Sequence, residues 1–128
     1  MDILEILIQY IIDSGLYTRK DEDICKNYAP EDKPNITSVY EIRGTRYHHY
    51  SGMSTRRVQF VVRNKSLRIA QDKAWELFRL FDKEEMVINL CGIVCPYQVK
   101  AIPSRRYVDD KGLHHVQFDI NFVVNNRI

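Results

Sequence analysis

Several features that mark whole classes of proteins are missing from this sequence. No apolar run approaches the ~20 residues that a transmembrane helix needs. The apolar N-terminus carries Asp2 and Glu5 in place of the basic start and small-residue cleavage site of a signal peptide. The net charge is only +2, too small to indicate nucleic-acid binding on charge alone. A hydrophobic content of 45% argues against disorder, so we expect a globular protein, cytosolic or assembled in a cytosol.

The sequence is also poor in cysteine and in catalytic signatures. Its three cysteines, Cys25, Cys91 and Cys95, are odd in number, which argues against a disulfide framework. The spacing of the last two fits neither a CxxC redox pair nor a usual zinc site. The sequence contains no nucleophile elbow, P-loop, dinucleotide-binding glycine pattern or H-E-x-x-H motif. We therefore expect buried structural cysteines, no enzymatic activity, no metal and no cofactor.

The four histidines keep one catalytic hypothesis open. They form two adjacent pairs, residues 48–49 and 114–115. Neighbours on a strand point to opposite faces, so one pair alone chelates a metal poorly. The two pairs could converge with Asp109 or Asp110, and Cys91 with His115 could form a catalytic dyad. A small metal-dependent or cysteine enzyme is therefore our third hypothesis, behind the two binding roles described below.

The strongest periodic pattern in the chain lies in residues 66–81. Apolar residues recur there at spacings of three and four, which predicts an amphipathic helix that begins at an N-cap, Ser66. The apolar face of this helix comprises Leu67, Ala70, Ala74, Leu77, Phe78 and Phe81. Residues 2–14 show a similar stripe and predict a second helix, which Gly15 ends.

Strand-like patterns lie on both sides of the central helix. We predict strands at residues 36–42, 58–63, 86–90, 94–102 and 116–124, an irregular connector at 16–35, a long loop at 43–57 and a hairpin turn at 109–112. Short connections between strands favour antiparallel pairing. We therefore expect an α+β fold, in which residues 1–128 form a single two-layer domain with helices packed on one face of a mostly antiparallel sheet.

Arginine and tyrosine cluster in two of the predicted connections. Both residue types are enriched at protein interfaces, and both also suit single-stranded nucleic acid, where rings stack on bases and guanidinium groups hold phosphates. We favour the protein interface because the chain is nearly neutral and its strands carry no exposed aromatic row. The candidate contact residues are Arg43, Arg46, Tyr47, Tyr50, Arg56 and Arg57 of the long loop, and Arg105, Arg106 and Tyr107 of the hairpin.

Several phrases of the sequence resemble one protein family. The run GLYTRKDEDICKNYAPEDKPNITSVYE after a helix, the unit VQFVVRNKSLRIAQDKAWELFRLF, and the closing AIPSRR and DDKGLHHVQFDINFVV segments carry the likeness. Together they resemble the minor capsid and tail-terminator (head–tail joining) proteins of long-tailed phages of Gram-positive hosts. The resemblance covers nearly the whole chain. It depends on the order of the segments and on their amino-acid sequences, since it includes no catalytic motif.

The resemblance implies a structural role in the phage virion. Such proteins form a ring, usually a hexamer of identical subunits, on the head-proximal end of the tail tube. The ring ends tube polymerisation and meets the head-connector proteins, and phage DNA passes through its lumen without sequence-specific binding. The resemblance implies no enzyme activity, no cofactor and no membrane. A small single-stranded nucleic-acid-binding module that uses the Arg/Tyr-rich loops is the alternative function.

Overall fold

The computed structural model describes residues 2–17, 23–46, 52–83, 87–90, 93–99 and 101–125. These residues form two helices and seven strands. The elements are α1 (Ile3–Asp13), β1 (Ile24–Lys26), β2 (Ile36–Arg46), β3 (Met53–Asn64), α2 (Leu67–Phe81), β4 (Val87–Leu90), β5 (Ile93–Val99), β6 (Ser104–Val108) and β7 (His114–Asn125). Within these ranges, no helix is both long enough and apolar enough to cross a lipid bilayer.

Helix α2 confirms the prediction made from its periodicity. Ser66 adopts extended backbone, and its side chain accepts a hydrogen bond from the amide of Ile69, which caps the first turn. The predicted apolar face is buried at Ala70, Ala74, Leu77, Phe78 and Phe81. This face packs on β3 and β7.

Helix α1 is also confirmed. Asp2 caps it by accepting a hydrogen bond from the amide of Glu5 at 2.8 Å. Gly15 follows its end with φ +91°, a conformation that glycine adopts without the steric cost of a side chain. The helix contacts β1, β2 and β4, and six of its aliphatic side chains are buried: Ile3, Leu4, Ile6, Leu7, Ile8 and Ile11.

The strands form one mostly antiparallel sheet in the order β1-β2-β3-β7-β5-β4, and β6 pairs with β7 beside β5. The exception to antiparallel pairing is β1, which runs parallel to β2. The two longest strands, β3 and β7, pair over twelve residues each and form the centre of the sheet. An α+β fold with a mostly antiparallel sheet is therefore confirmed.

Strict alternation gives β3 and β7 two different faces. We call the face toward α2 the apolar face: Val58, Phe60, Val62, Val116, Phe118, Ile120, Phe122 and Val124. We call the other the polar face: Arg57, Gln59, Val61, Arg63, His115, Gln117, Asp119 and Asn121. Phe60 and Phe118 stack at 4.8 Å on the apolar face, and Phe78 of α2 meets Phe118 edge-on at 5.6 Å. One buried cluster joins these rings to side chains of both helices.

The prediction of a long loop at residues 43–57 is wrong. Strand β2 continues to Arg46 and β3 begins at Met53, so only residues 47–52 connect them. The pairing passes from Ile42 opposite Arg57 to Thr45 opposite Thr55, which leaves one extra residue in β2. Such a bulge interrupts the alternation of side chains, and the strand pattern is lost at this point.

Three further boundaries differ from the sequence prediction. The connector at residues 16–35 contains β1, which is too short to show a periodic pattern. Strand β5 ends at Val99, so residues 101–102 lie outside it. The hairpin turn at 109–112 is confirmed, but its first arm forms a strand of its own, β6, that the prediction did not count.

Candidate partner interface

Strand β6 brings three of the candidate contact residues to the surface. All five of its side chains are exposed, including Arg105, Arg106 and Tyr107. In the part of the chain that the structure describes, β6 pairs with β7 alone. Arg105 lies opposite Val116 and Tyr107 opposite His115, so Arg106 is an extra residue that forms a bulge. The cations and the ring are therefore displayed outside the core.

A chain of side-chain contacts fixes this hairpin. The Arg106 guanidinium lies 5.5 Å from the centre of the Tyr107 ring, and this ring stacks on His115 at 4.2 Å. The His115 Nε2 atom lies 3.0 Å from Asp109 Oδ2. Tyr107 is therefore positioned between a cation and a buried imidazole, which limits the conformations it can adopt before a partner binds.

Asp109 organises the turn itself. Its Oδ1 atom accepts hydrogen bonds from the amides of Lys111 and Leu113, both at 2.9 Å. The hydrogen bond to His115 and these amide hydrogen bonds lower the pKa of the Asp109 carboxyl. Gly112 closes the turn with φ +78°. The Asp-Asp-Lys-Gly pattern thus predicts the turn correctly, but not the contact between Asp109 and His115.

Arg56 and Arg57 lie at the other end of the sheet and on opposite faces. Arg56 forms an ion pair with Glu41, and the Arg57 Nη2 atom lies 2.9 Å from Asp119 Oδ2. In the sheet, Arg57 lies opposite Asn121 of β7, and Arg105 lies opposite Val116 of the same strand. The arginines of β3 and those of β6 are therefore separated by roughly 17 Å along β7. The structure therefore does not unite them in one surface, and both Arg56 and Arg57 are held by carboxylates of the same chain.

Of the remaining candidate residues, the structure describes the backbone of two. Arg43 and Arg46 lie on β2, where Arg46 pairs with Ser54. Tyr47 and Tyr50 lie outside the described residues, as do His48 and His49. The first hairpin thus carries its arginines on paired strands rather than in a long loop.

A cleft of about 370 Å³ opens on the polar face. Ala29 lies on one rim and Arg106 and Tyr107 on the other, and the floor comes from β2, β3 and β7. Arg63 lines this cleft with 9% of its surface exposed, and its Nη2 atom donates to the backbone carbonyls of Pro30 and Lys33. Among the described residues, its Nε atom is buried without a hydrogen-bond partner. The cleft therefore has a cationic rim at Arg106 and a largely buried arginine, Arg63, in its lining.

Sequence reasoning did not identify Arg63 as part of a candidate site. The alternation of β3 predicts that Arg63 points away from the core, and this is the one feature of the sequence that could have indicated its place on the polar face. Its partners lie about thirty positions earlier in the chain, and no local pattern reveals them. Three polar-face acceptors are also buried without a hydrogen-bond partner in the described part of the chain: Gln117 Oε1, Asp119 Oδ1 and Asn121 Oδ1.

The described residues form no arrangement typical of a metal site. No group of three His, Cys, Asp or Glu side chains among them could hold an ion. Cys25 lies buried in β1 as a thiol, and the side chains of Cys91 and Cys95 lie outside the described part. The histidine that the enzyme hypothesis used, His115, is engaged by Asp109 and Tyr107.

The elements described above define a small α+β protein with a mostly antiparallel sheet and an exposed strand, β6. Twenty-one chains of solved structures match it. One of them has 15% sequence identity, a TM-score of 0.53 and 94% coverage of both chains, which shows a shared fold. No curated protein matches the sequence.

The family model described as "Bacteriophage tail terminator protein" matches residues 10–126. The chain therefore belongs to the phage tail terminator family, a family of structural proteins of the virion tail.

Proposed function

We propose that this chain assembles into a closed ring, a hexamer of identical subunits, on the head-proximal end of the phage tail tube. The ring ends polymerisation of the tube protein and forms the interface to the head-connector proteins. Phage DNA passes through its lumen without sequence-specific contacts. The match to the tail terminator family over residues 10–126 is the observation that carries this proposal.

The structure supports an assembly role through its surfaces. A ring of identical subunits needs two different surfaces on each subunit, one of which binds the other on the next subunit. Strand β6 supplies an exposed surface rich in arginine and tyrosine, the residue types enriched at interface centres. The hairpin that displays this surface is held by Asp109, so a partner meets a largely ordered surface.

The proposal has several finer parts. The chain acts as a single domain over residues 1–128, with both helices on one face of the sheet in two layers, because one buried cluster contains residues of both helices. The phage is a long-tailed phage of a Gram-positive host, as the sequence resemblance implies. The ring assembles in the bacterial cytoplasm and remains in the neck of the virion.

The first test is the mass of the purified protein in solution, measured by light scattering across a range of concentrations. A closed oligomer of about six subunits supports the ring. The second test adds the protein to polymerising tail-tube protein and measures tube lengths by electron microscopy. We expect shorter tubes, each with additional density at one end.

Unchanged tube lengths and free ends, together with a monomer at every concentration, would reject the terminator function. The alternative is then tested by fluorescence anisotropy with single-stranded DNA at increasing salt. Binding that weakens steeply with salt would favour the nucleic-acid module. Because Arg56 and Arg57 are paired with carboxylates, we expect weak binding in this assay.

A further inference from the structure

We propose that two oppositely charged surfaces of this subunit bind one another between neighbouring copies of the chain. One is the β6 surface, made of Ile102, Arg105, Arg106, Tyr107 and Val108. The other is the acidic loop, residues 27–33, which follows β1. The inference rests on the proposed ring and identifies the two surfaces that form its subunit contacts.

The β6 surface combines exposed apolar area with cations that pair with no acidic side chain of the described residues. Ile102 is 62% exposed, Tyr107 44% and Val108 40%. Arg105 and Arg106 form no ion pair with any described residue. Apolar and aromatic area beside arginine is typical of the centre of a protein interface. This surface therefore has the composition of one half of a contact.

The acidic loop has two carboxylates, Glu31 and Asp32, and one cation, Lys33, so its net charge is −1, and it has a fixed shape. Glu31 and Asp32 are exposed and form no ion pair within the described ranges, and Tyr28 is 52% exposed. The loop is anchored from below by Arg63, which donates to the backbone carbonyls of Pro30 and Lys33. It therefore presents its two carboxylates with little freedom to lose on binding.

The first residues of the loop are also anchored to β2. The Ser38 hydroxyl donates to the carbonyl of Tyr28 at 2.9 Å, and the amide of Asn27 donates to the carbonyl of Val39 at 2.8 Å. Asn27 adopts a positive φ of 61° as the chain leaves β1. These contacts define the loop as a structured part of the subunit surface.

The position of the two surfaces suits contact between copies. The acidic loop and the β6 surface lie on opposite sides of the cleft on the polar face, the loop on the side of β2 and β6 beyond β7. Two unlike surfaces at separate positions on one subunit can form head-to-tail contacts, which close into a ring when the rotation fits.

The distribution of exposed apolar residues agrees with this assignment. Six large hydrophobic side chains are exposed in the described ranges, and four of them lie in these two surfaces: Tyr28, Ile102, Tyr107 and Val108. Opposite charge then orients the contact and favours this pairing over a contact of either surface with itself.

The test reverses the charges of each surface separately and then together. Variant one carries Arg105→Glu and Arg106→Glu, and variant two carries Glu31→Arg and Asp32→Arg. We expect each variant alone to dissociate at a concentration roughly tenfold or more above that of the native oligomer, because like charges then face each other. Light scattering at several salt concentrations gives the dissociation concentration.

Restored assembly is the diagnostic result. The chain with all four substitutions should assemble again, because the two reversed surfaces remain complementary. An equimolar mixture of variants one and two should also assemble, with the two kinds of subunit alternating around the ring. A control chain with Arg68→Glu and Asp72→Arg, exposed positions of α2, should keep the native mass.

The outcomes separate this inference from the proposed function. If the native protein assembles and variants one and two assemble equally well, these surfaces do not form the contact, although the ring remains. If both variants dissociate but neither the mixture nor the fourfold variant recovers, the two surfaces do not bind each other. A native chain that stays monomeric with and without tail tube overturns the ring and this inference together.

Discussion

The two faces of the paired strands β3 and β7 share one set of backbone hydrogen bonds but carry side chains with different roles. On the apolar face, Phe60 and Phe118 are almost fully buried and stack beneath α2. On the polar face, Arg57 pairs with Asp119, and Arg63 holds the loop after β1. The first face stabilises the fold through burial, which needs no particular partner. The polar face positions segments of the surface through specific ion pairs and hydrogen bonds.

This difference has an energetic consequence. Burial of apolar area contributes free energy in proportion to the area removed from water, and aromatic rings contribute most of it here. Ion pairs that are partly exposed contribute little to stability, because water screens them. Substitutions on the apolar face should therefore change the free energy of unfolding far more than substitutions on the polar face.

The largest effect should come from Phe60→Ala. The ring is fully buried, 4.8 Å from the Phe118 ring and 5.4 Å from the Phe81 ring. Its removal should lower the free energy of unfolding by about 3–5 kcal/mol, through lost burial and the cavity left behind. Urea unfolding measures this loss. Gln59→Ala, one residue away on the polar face, is the control; equal losses in both variants would contradict the assignment of faces.

A smaller effect should follow from Tyr17→Phe, which tests a polar contact beside the apolar face. The Tyr17 hydroxyl lies 2.6 Å from Thr37 Oγ1, and its loss should cost about 1 kcal/mol. Burial raises the pKa of Tyr17 to about 12. The neutral Tyr17 hydroxyl therefore contributes its full stabilisation of the fold below the ordinary tyrosine pKa of about 10. This stabilisation is lost as pH rises from there toward 12.

Unfolding free energies near neutral pH and near pH ~11 provide the measurement for Tyr17. The native protein should lose more stability over this interval than Tyr17→Phe does. Tyr107→Phe, at an exposed position, is the matched control and should behave as the native protein. Identical alkaline loss in the native chain and in Tyr17→Phe would show that the buried hydroxyl is not responsible.

The polar face should show a coupling energy of only about 0.5–1 kcal/mol between Arg57 and Asp119. Their side chains are 45% and 11% exposed, so solvent screens the cation and much of the attraction. A double-mutant cycle with Arg57→Ala and Asp119→Ala measures the coupling. A value above ~3 kcal/mol would remove the energetic distinction between the faces.

The smallest effect should be the response of the β6–β7 hairpin to acid. Its hydrogen bonds, first that from His115, lower the pKa of Asp109, so they stabilise the hairpin above the ordinary carboxyl pKa of about 4. This contribution is lost as pH falls through the lowered pKa. The protection of the Lys111 and Leu113 amides against exchange, taken relative to the intrinsic exchange rate at each pH, should fall in that range. In Asp109→Asn this loss of protection should be absent, and an unchanged native profile would contradict the role of Asp109.

The parts of the fold that were predictable from sequence are those with a strong periodic pattern. Helix α2 and the centres of β3 and β7 pack one apolar side on the core, so apolar and polar residues recur with the period of the element. The hairpin turn was predictable because Asp109 and Gly112 meet its backbone requirements locally. In these segments the local sequence contains the information that determines the structure.

The elements that were missed lack such a pattern for identifiable reasons. Strand β6 is exposed throughout, so no alternation marks it. Strand β1 has three residues and depends on parallel pairing with residues 37–39. The candidate site was predicted only in part, because the contacts of Arg57 and Arg63 join positions 30 to 62 residues apart. The pairing of such distant positions is a property of the assembled sheet.

The bulge at Arg106 has a further consequence for the solubility of the protein. A regular, exposed edge strand offers an evenly spaced row of donors and acceptors, and such a row can recruit strands of other molecules without limit. The extra residue in β6 breaks this spacing, and two adjacent arginines add a desolvation cost to any strand laid against it. The edge is therefore a poor template for fibril growth, while its side chains stay accessible. A strand built this way can leave its side chains exposed without seeding an open-ended aggregate.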